Sequence, residues 1–139
     1  MKMSINDCII IEFPKISEPR GNLSFIEGNR HVPFSIKRVF YVYDIPSGAI
    51  RGAHAHKSLK EMIFCVSGEV EVMLDDGVNK KNVKLNRPWQ GLFISQMTWI
   101  STGNFNPGTV YVVLASDYYD ENDYFRDYDT FLKAVQNGK

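Results

Sequence analysis

The chain is a series of short β-prone runs, each ended by residues that favour turns. Valine, isoleucine and aromatic residues dominate the runs, and glycine, proline, asparagine or aspartate separate them, which is typical of a β-sandwich or barrel. Ser67-Gly68 predicts a tight hairpin, and Asp75-Asp76-Gly77 predicts another. The predicted strands cover residues 7–13, 22–27, 34–43, 60–66, 69–74, 81–85, 91–95 and 109–116. The expected fold class is therefore all-β.

The C-terminal end departs from this pattern. Between Tyr128 and Val135 the apolar residues recur at helical spacing, and Asp127 or Asp129 can cap the first turn. We expect one short C-terminal helix there. The segment before it, SDYYDENDYFRDYD, is dense in aspartate and tyrosine, which suits either a solvated charged loop or one wall of a ligand site.

Length and charge limit the functional classes. A chain of 139 residues with 44% hydrophobic residues fits one domain with one core, so we expect a single domain over residues 1–139. Sixteen basic residues balance 16 acidic residues. This zero net charge argues against a nucleic-acid-binding protein, which usually carries a basic excess.

The N-terminal region and the cysteines indicate where in the cell the protein is expected to be. The apolar run at residues 8–11 is too short for a signal-peptide core or a membrane span, so we expect no membrane association. Cys8 and Cys65 stand in apolar, strand-like runs, which is typical of reduced cysteines in a protein core. Because reduced cysteines are the rule in the cytoplasm, a cytoplasmic location is expected.

Two of the three histidines stand one residue apart in the segment RGAHAHKS. The spacing around them is G-x5-H-x-H-x4-E-x6-G, formed by Gly48, His54, His56, Glu61 and Gly68. This spacing resembles the first motif of the cupin superfamily, which implies a cupin-type β-roll, a jelly-roll barrel. Residues i and i+2 of a strand point to the same side, so both imidazoles are expected to face the barrel interior.

The histidine pair has several chemical interpretations. With Glu61 it forms a two-histidine, one-carboxylate set that can hold iron or manganese, as in metal-dependent cupin enzymes. Metal-binding cupins add a histidine from a second motif, and the matching position here is Ile100. Without a metal, the imidazoles can take and return protons beside Arg51 and Arg38, whose side chains suit phosphate or carboxylate. A strand edge without function and a non-catalytic sugar-binding cupin are further interpretations.

Four segments carry a narrower resemblance. The chain is similar to the sugar nucleotide 3,4-ketoisomerases in PFSIKRVFYVYD, RGAHAHK, LDDG and LASDYYDENDYFRDYDTF, within about residues 18–131. That family acts on dTDP-4-keto-6-deoxy-D-glucose in bacteria that make aminodeoxy sugars for surface polysaccharides such as the O-antigen of lipopolysaccharide. The resemblance implies no cofactor and no metal. It also implies a homodimer whose N-terminal strands can pack on the partner subunit, and a product for an aminotransferase acting at C3.

The resemblance also implies residue roles. The ketone moves from C4 to C3 of the hexose through an enediolate, which requires a base with a pKa near neutrality and donors for the oxyanion. His54 matches the family's active-site histidine and is expected to be the carbon base and acid. His56 is expected to carry the second proton or to hold the enediolate oxygen. Arg51 is expected to bind the diphosphate or the sugar oxygens, and Arg38 to bind phosphate.

Two positions track the C4 configuration of the product in that family, and here they hold Arg20 and Ile100. Arg20 is typical of the members that give the galacto product, whereas Ile100 matches neither group, since members carry His or Arg there. Phe40 also departs from the family, which usually has Tyr at this position. Tyr41 cannot replace it, because neighbouring strand residues face opposite sides. The predicted product is a dTDP-3-keto-6-deoxyhexose, and Arg20 favours the galacto form.

Overall fold

The structure is a computed structural model, and it describes residues 3–138. This range contains twelve strands, one α-helix and two single-turn 3₁₀ helices, at Ile5–Asp7 and Glu121–Asp123. The other elements are β1 (Ile10–Glu12), β2 (Lys15–Glu18), β3 (Gly21–Ser24), β4 (Arg38–Val42), β5 (Arg51–His56), β6 (Glu61–Ser67), β7 (Val70–Asp75), β8 (Lys80–Leu85), β9 (Gln90–Ile94), β10 (Trp99–Gly103), β11 (Val110–Ala115), β12 (Tyr124–Phe125) and α1 (Tyr128–Asn137).

Two antiparallel five-stranded sheets pack face to face. The first has the order β1-β9-β6-β11-β4 and the second the order β12-β5-β10-β7-β8, while β2 and β3 form a separate hairpin. Most neighbours within a sheet are distant in sequence, as in a jelly roll. The prediction of an all-β, cupin-type barrel with a short C-terminal helix is confirmed. Within residues 3–138, no helix is both long and apolar enough to span a membrane.

The main core lies between the two sheets. Ile63 and Val113 of the first sheet meet Val72 and Leu74 of the second sheet. These residues occupy alternate strand positions, because successive side chains of a strand point to opposite faces. Burial of this apolar surface is the main source of the barrel's stability.

The two cysteines belong to the buried interior, as their apolar sequence context predicts. Cys8 is 0% exposed and Cys65 is 1% exposed, and both are free thiols. Burial raises the pKa of the Cys65 thiol, so it remains protonated.

Helix α1 covers the outer face of the second sheet. Asp127 is its N-cap, and its carboxylate accepts a hydrogen bond from the Thr130 backbone nitrogen at 2.9 Å. Phe131 is fully buried against Ala55, and its ring lies 5.8 Å from the Trp99 ring. The predicted helix and one of its two predicted caps are therefore confirmed. This packing holds the preceding aspartate- and tyrosine-rich segment against β5.

One predicted hairpin is confirmed and the other is wrong. Strands β7 and β8 pair antiparallel across the Asp75-Asp76-Gly77 turn, with Asp75 opposite Lys80. Ser67-Gly68, in contrast, connects β6 to β7, which belong to different sheets. Both edges of β6 are already occupied, by β9 and β11, so it cannot also pair with β7. The turn residues were recognised correctly, but the change of sheet depends on long-range pairing.

Strand boundaries near the N-terminus are shorter than predicted. The run at 7–13 contains only β1. Its first residue, Asp7, belongs instead to the 3₁₀ turn Ile5–Asp7, which Ser4 caps. The run at 34–43 contains β4, which begins at Arg38. In the hairpin of β2 and β3 all four residues of each strand are exposed.

Candidate active site

The histidine pair lies directly after a bulge in β5. Ile100 of β10 pairs with His54, whereas Ser101 pairs with Gly52, so Ala53 is an extra residue in the ladder. Gly52 and Ala53 both have positive φ, at 84° and 61°. A Cβ atom at residue 52 would lie 3.3 Å from the Ile100 carbonyl oxygen, so both this close approach and the positive φ favour glycine there.

The bulge changes the direction of Arg51. In a regular strand, residues three apart face opposite sides, so Arg51 and His54 would be separated by the sheet. With one extra residue between them, both side chains line the same cavity. The bulge therefore places a fixed positive charge beside a titratable imidazole.

That cavity lies between the two sheets and is open at one end. It measures about 470 Å³ including the space at its mouth. Its polar groups come from Arg51, His54, Glu61, Thr102 and Tyr111, and the last two hydroxyl oxygens are 3.2 Å apart. Its apolar lining consists of Phe40, Val42, Ile63, Ile94, Ile100 and Val113. A mostly apolar cavity with few polar groups is typical of a small-molecule site.

His54 is held in the form that can accept a proton. Burial is the main cause that lowers its pKa, and the nearby positive charge of Arg126 lowers it further. A hydrogen bond with the Gly52 backbone and the negative charge of Glu121 act in the opposite direction. The net lowering keeps this imidazole neutral at pH 7, as a general base must be.

His56 lies beside His54 and is more deeply buried. The two ring centroids are 5.0 Å apart, and His56 is only 5% exposed. Its Nε2 atom is 3.8 Å from Glu61 Oε1, and its Nδ1 atom is 3.5 Å from Asp123 Oδ2. Neither nitrogen makes a hydrogen bond within residues 3–138. Burial first, and the neighbouring histidine second, lower the pKa of His56 to about 4.

Glu61 is a neighbour of the imidazole rather than a solvent-facing residue. It is 4% exposed, and burial raises its pKa to about 7 although the charge of Arg38 opposes the change. Because His56 is neutral and Glu61 is partly protonated at pH 7, their contact differs from a surface ion pair. The donor atoms of His54, His56 and Glu61 lie within 4.8 Å of one another.

A second, polar cavity adjoins His56. Arg38, Asp117, Asp123 and Tyr124 contribute to its lining. The Arg38 Nε atom is buried without a hydrogen-bond partner in the described range 3–138, and its guanidinium carbon lies 5.6 Å from the Tyr119 ring. Two cavities therefore meet at the histidine pair: His54 lines the one between the sheets and His56 lines the polar one.

The chain is similar in sequence to a known protein family. The family described as "FdtA: WxcM-like, C-terminal" matches residues 6–136. The chain belongs to this family.

Named relatives of the chain are ketoisomerases. A TDP-4-oxo-6-deoxy-alpha-D-glucose-3,4-oxoisomerase of Aneurinibacillus thermoaerophilus is 44% identical over 126 residues, which is 91% of each chain. A sugar 3,4-ketoisomerase of Thermoanaerobacterium thermosaccharolyticum, solved with TDP, has a TM-score of 0.94 at 36% identity and covers 97% of this chain and 98% of its own. A 3,4-ketoisomerase of Helicobacter canadensis has a TM-score of 0.91 at 45% identity, with 94% and 98% covered. The predicted family resemblance is confirmed.

The structure brings most of the predicted site residues of this family member together. His54, Arg51 and Ile100 line the cavity between the sheets. His56 and Arg38 line the adjoining polar cavity. Strand alternation correctly predicts that the two histidines are neighbours on one side of β5, but they line different cavities.

Arg20 is not part of this cluster. It stands in the turn between β2 and β3, its side chain is 87% exposed, and it pairs with Glu18 at 3.0 Å. It lines neither of the two cavities at the histidine pair.

Phe40 and Tyr41 take the positions that strand alternation predicts. The Phe40 ring lines the cavity between the sheets, while Tyr41 is 62% exposed on the opposite side of β4. The cavity therefore lacks a tyrosine hydroxyl at this point of its wall. Tyr111 supplies a phenol from the neighbouring strand β11 instead.

Tyr124 is a site residue that the sequence patterns did not single out. It pairs with His56 through β12, and its ring centroid lies 4.3 Å from that of His56 and 5.1 Å from that of His54. The Asp123 carboxylate accepts hydrogen bonds from the Ser58 backbone nitrogen and hydroxyl at 3.0 and 2.7 Å, which fixes this segment to the end of β5. The sequence signals at this position were the aspartate- and tyrosine-rich composition of residues 116–129 and the family resemblance of that segment, neither of which points to Tyr124 itself.

Proposed function

We propose that this chain is an isomerase that moves the ketone of dTDP-4-keto-6-deoxy-D-glucose from C4 to C3. The observation that carries the proposal is the position of the His54 imidazole beside Arg51 in the cavity between the sheets, where burial lowers the pKa of His54. The curated relative named as an oxoisomerase of that sugar supports it. So does a His-to-Asn variant of the Thermoanaerobacterium enzyme that was solved with TDP-4-keto-6-deoxyglucose.

His54 is the group that moves the carbon-bound proton. It takes the proton from C3 of the 4-keto sugar, the C4 oxygen gains a proton, and an enediol results. The C3 hydroxyl then loses its proton while C4 receives one, so the carbonyl ends at C3 with no net change in atoms or electrons. A neutral imidazole is suited to the first step because it can bind the proton and return it.

His56 and Glu61 are the titratable groups beside His54, and in this proposal they carry the protons of the substrate oxygens. The imidazole of His56 is neutral at pH 7 and its nitrogens are free of hydrogen bonds within residues 3–138, so it can exchange a proton with a nearby group. Glu61, with a pKa raised to about 7, can act as donor or acceptor near neutrality. Arg51 lies beside His54, where it can bind sugar oxygens or the diphosphate, and Arg38 offers a second phosphate contact.

A proton NMR time course in D2O tests this proposal. With purified protein, dTDP-4-keto-6-deoxyglucose is expected to give a 3-keto product. The product carries deuterium at C4 wherever the proton on the catalytic base exchanges with D2O before it is returned. Binding without loss of the C3 hydrogen would instead indicate a non-catalytic sugar-binding protein. The coupling between H4 and H5 reports the configuration of the remaining protonated product. Arg20 favours the galacto product, for which this coupling is small.

A metal-dependent enzyme is the second candidate function, and one observation favours it. The donor atoms of His54, His56 and Glu61 lie within 4.8 Å of one another, a spacing that a single ion can span. Elemental analysis of the purified protein decides between the two candidates. Stoichiometric iron or manganese, together with loss of turnover on chelation, would support the metal-dependent enzyme.

The β2–β3 hairpin supports assembly as a homodimer. Two-stranded hairpins are marginally stable in water, yet Ile16 and Leu23 of this hairpin are each 56% exposed. Near it, Phe25, Val66 and Trp89 line an apolar groove. A second copy that covers these side chains would stabilise the hairpin and bring Arg20 to a partner's cavity.

Subunit mixing tests both the dimer and the role of Arg20. Arg20→Ala and His54→Asn are each expected to lower activity, for different reasons. If Arg20 serves the partner's site, a hybrid dimer contains one intact site, and random mixing restores about a quarter of wild-type activity. No recovery on mixing, with exchange of subunits verified by mass, would place Arg20 in its own subunit's site or outside any site.

The cellular role follows from the product. A 3-keto sugar nucleotide is suited to an aminotransferase acting at C3, so we place the enzyme in the synthesis of aminodeoxy sugars for surface polysaccharides such as the O-antigen of lipopolysaccharide. Free buried thiols are in keeping with a cytoplasmic location. Fractionation of cells that express the tagged chain tests that location.

A further inference from the structure

Three aromatic rings pack together at the histidine pair. The ring centroid of Tyr124 is 5.1 Å from that of His54 and 4.3 Å from that of His56, and the two imidazoles are 5.0 Å apart. Tyr124 lines the polar cavity, whereas His54 lines the cavity between the sheets. The phenol ring therefore contacts both imidazoles from the polar cavity, whereas His54 also faces the cavity between the sheets.

A group of charged and polar side chains holds Tyr124 from its outer side. The Arg126 guanidinium lies over the Tyr124 ring, 4.1 Å from its centroid. Arg126 donates two hydrogen bonds to the Glu121 carboxylate, one of them 2.8 Å from Nη2 to Oε2. The Tyr119 hydroxyl donates to the same carboxylate. This pairing fixes the plane of the guanidinium and, through it, the face of Tyr124.

Stability alone does not account for this arrangement. The side chains of Arg126 and Glu121 are 52% and 53% exposed, and exposed ion pairs contribute little to folding. The imidazoles, in contrast, have few polar anchors. His56 makes no hydrogen bond from either nitrogen within residues 3–138, and His54 has its backbone contact with Gly52. Ring packing on Tyr124 is therefore a contact that both imidazoles share, in addition to the Gly52 backbone contact of His54 and the Asp123 and Glu61 carboxylates beside His56.

We infer that Tyr124 is a positioning residue for the histidine pair, held in place by Arg126 and Glu121. This inference rests on the proposed isomerase function. A base must lie within hydrogen-bond reach of the proton that it removes, and a misplacement of about 1 Å can lower a rate about a hundredfold. The ring of Tyr124, rather than its hydroxyl group, supplies the contact.

Three variants separate the ring from the hydroxyl group and from the loss of an aromatic side chain elsewhere. Tyr124→Leu removes the ring, and Tyr124→Phe removes only the hydroxyl. Tyr41→Leu is the control, because Tyr41 is 62% exposed on the opposite side of β4 and lines neither cavity at the histidine pair. For Tyr124→Leu we expect kcat to fall about 10- to 100-fold with KM within about threefold of wild type. The other two variants are expected to stay within about threefold of wild-type kcat.

NMR of the histidine Cε1–H groups gives a readout that does not depend on turnover. An aromatic ring this close shifts both resonances, so they are expected to move in Tyr124→Leu and to remain near their wild-type positions in Tyr124→Phe. If the chain turned over no keto sugar, the proposed function would fail while this spectrum would still show whether Tyr124 packs on the imidazoles.

Two results would overturn the inference. One is a folded Tyr124→Leu variant with wild-type kcat or with unmoved histidine resonances. The other is a Tyr124→Phe variant as slow as Tyr124→Leu, which would assign the chemistry to the hydroxyl group. If Tyr124→Leu fails to fold, the double variant Glu121→Gln/Arg126→Met replaces it, since both side chains are half exposed. It is expected to lower kcat several-fold at unchanged KM, and wild-type kcat in this variant would contradict the inference.

Discussion

The histidine site and the β2–β3 hairpin are built in opposite ways. At the site, Glu61 and His56 are buried, and the backbone at Ala53 adopts a left-handed conformation that costs an alanine about 1 kcal/mol. In the hairpin, every strand residue is exposed, including Ile16. The barrel therefore fixes the chemical groups by itself, whereas the position of the hairpin and its arginine depends on contacts outside the barrel.

The largest effect is expected from His54→Asn. Asparagine keeps a polar side chain in the cavity but cannot act as a base near pH 7, so the rate should fall about a hundred- to ten-thousandfold. TDP binding, measured by calorimetry, should be largely kept. If Arg20 binds substrate, as proposed, Arg20→Ala should instead raise KM more than it lowers kcat. Near-wild-type turnover of His54→Asn would remove this residue from the role of base.

Glu61→Gln should show how much the raised pKa of this buried carboxyl changes the free energy of unfolding with pH. The native pKa of Glu61 is about 7 and its ordinary value is 4.5, so its contribution to stability is full below pH 4.5 and is lost as pH rises through 7. We expect the variant to match wild type near pH 4 and to be more stable at pH 8, by up to about 3 kcal/mol. Urea unfolding at both pH values measures this difference, and an equal difference at both would contradict it.

His56 should show the opposite pH dependence. Its native pKa is about 4 against an ordinary 6.5, so its contribution is present above pH 6.5 and is lost as pH falls through 4. In the wild type the two trends oppose each other between about pH 4.5 and 6.5. Stability of Glu61→Gln should therefore rise with pH in this window, whereas that of His56→Gln should fall.

Gly52 in the barrel and Gly21 in the hairpin both have positive φ, so substitutions of them compare the stability of the two regions. A Cβ at Gly52 would lie 3.3 Å from the backbone of β10, whereas a Cβ at Gly21 in the hairpin turn would meet no atom within 4 Å. Gly52→Ala should lower the free energy of unfolding by about 2 kcal/mol, and Gly21→Ala by less than half of that, because the hairpin can rearrange without the barrel. Equal losses in denaturant titrations would show that the hairpin is part of the cooperative unit.

The smallest effect on folding is expected from Leu23→Ser. This side chain is already 56% exposed, so the barrel's free energy of unfolding should change by less than about 0.5 kcal/mol. Dimerisation should weaken, which sedimentation over a range of protein concentrations can measure. An unchanged dimer would exclude Leu23 from the interface, and a large loss of barrel stability would contradict the separation of hairpin and barrel.

Local patterns predicted most of the fold but not the connections between sheets. Each predicted run of β-branched residues overlaps a strand, although β2, β5, β10 and β12 lie outside those runs, and the helical spacing after Asp127 marked α1. Ser67-Gly68 has the composition of a hairpin turn, yet it joins two sheets because both edges of β6 are taken by other strands. The composition of a segment predicts that the chain turns there, but the order of strands in the sheets decides which strands the turn connects.

The sequence by itself determined the β class, the C-terminal helix, the adjacency of His54 and His56, and the likeness to the ketoisomerase family. These depend on side-chain periodicity and on a motif within one stretch of chain. Only the tertiary structure decided three further features. A bulge in β5 places Arg51 in the same cavity as His54, and the Tyr124 ring packs against both imidazoles. Arg20 lies on the exposed hairpin, outside both cavities at the histidine pair. The physical reason is that these contacts depend on register shifts and on pairing between strands far apart in sequence, which no local pattern encodes.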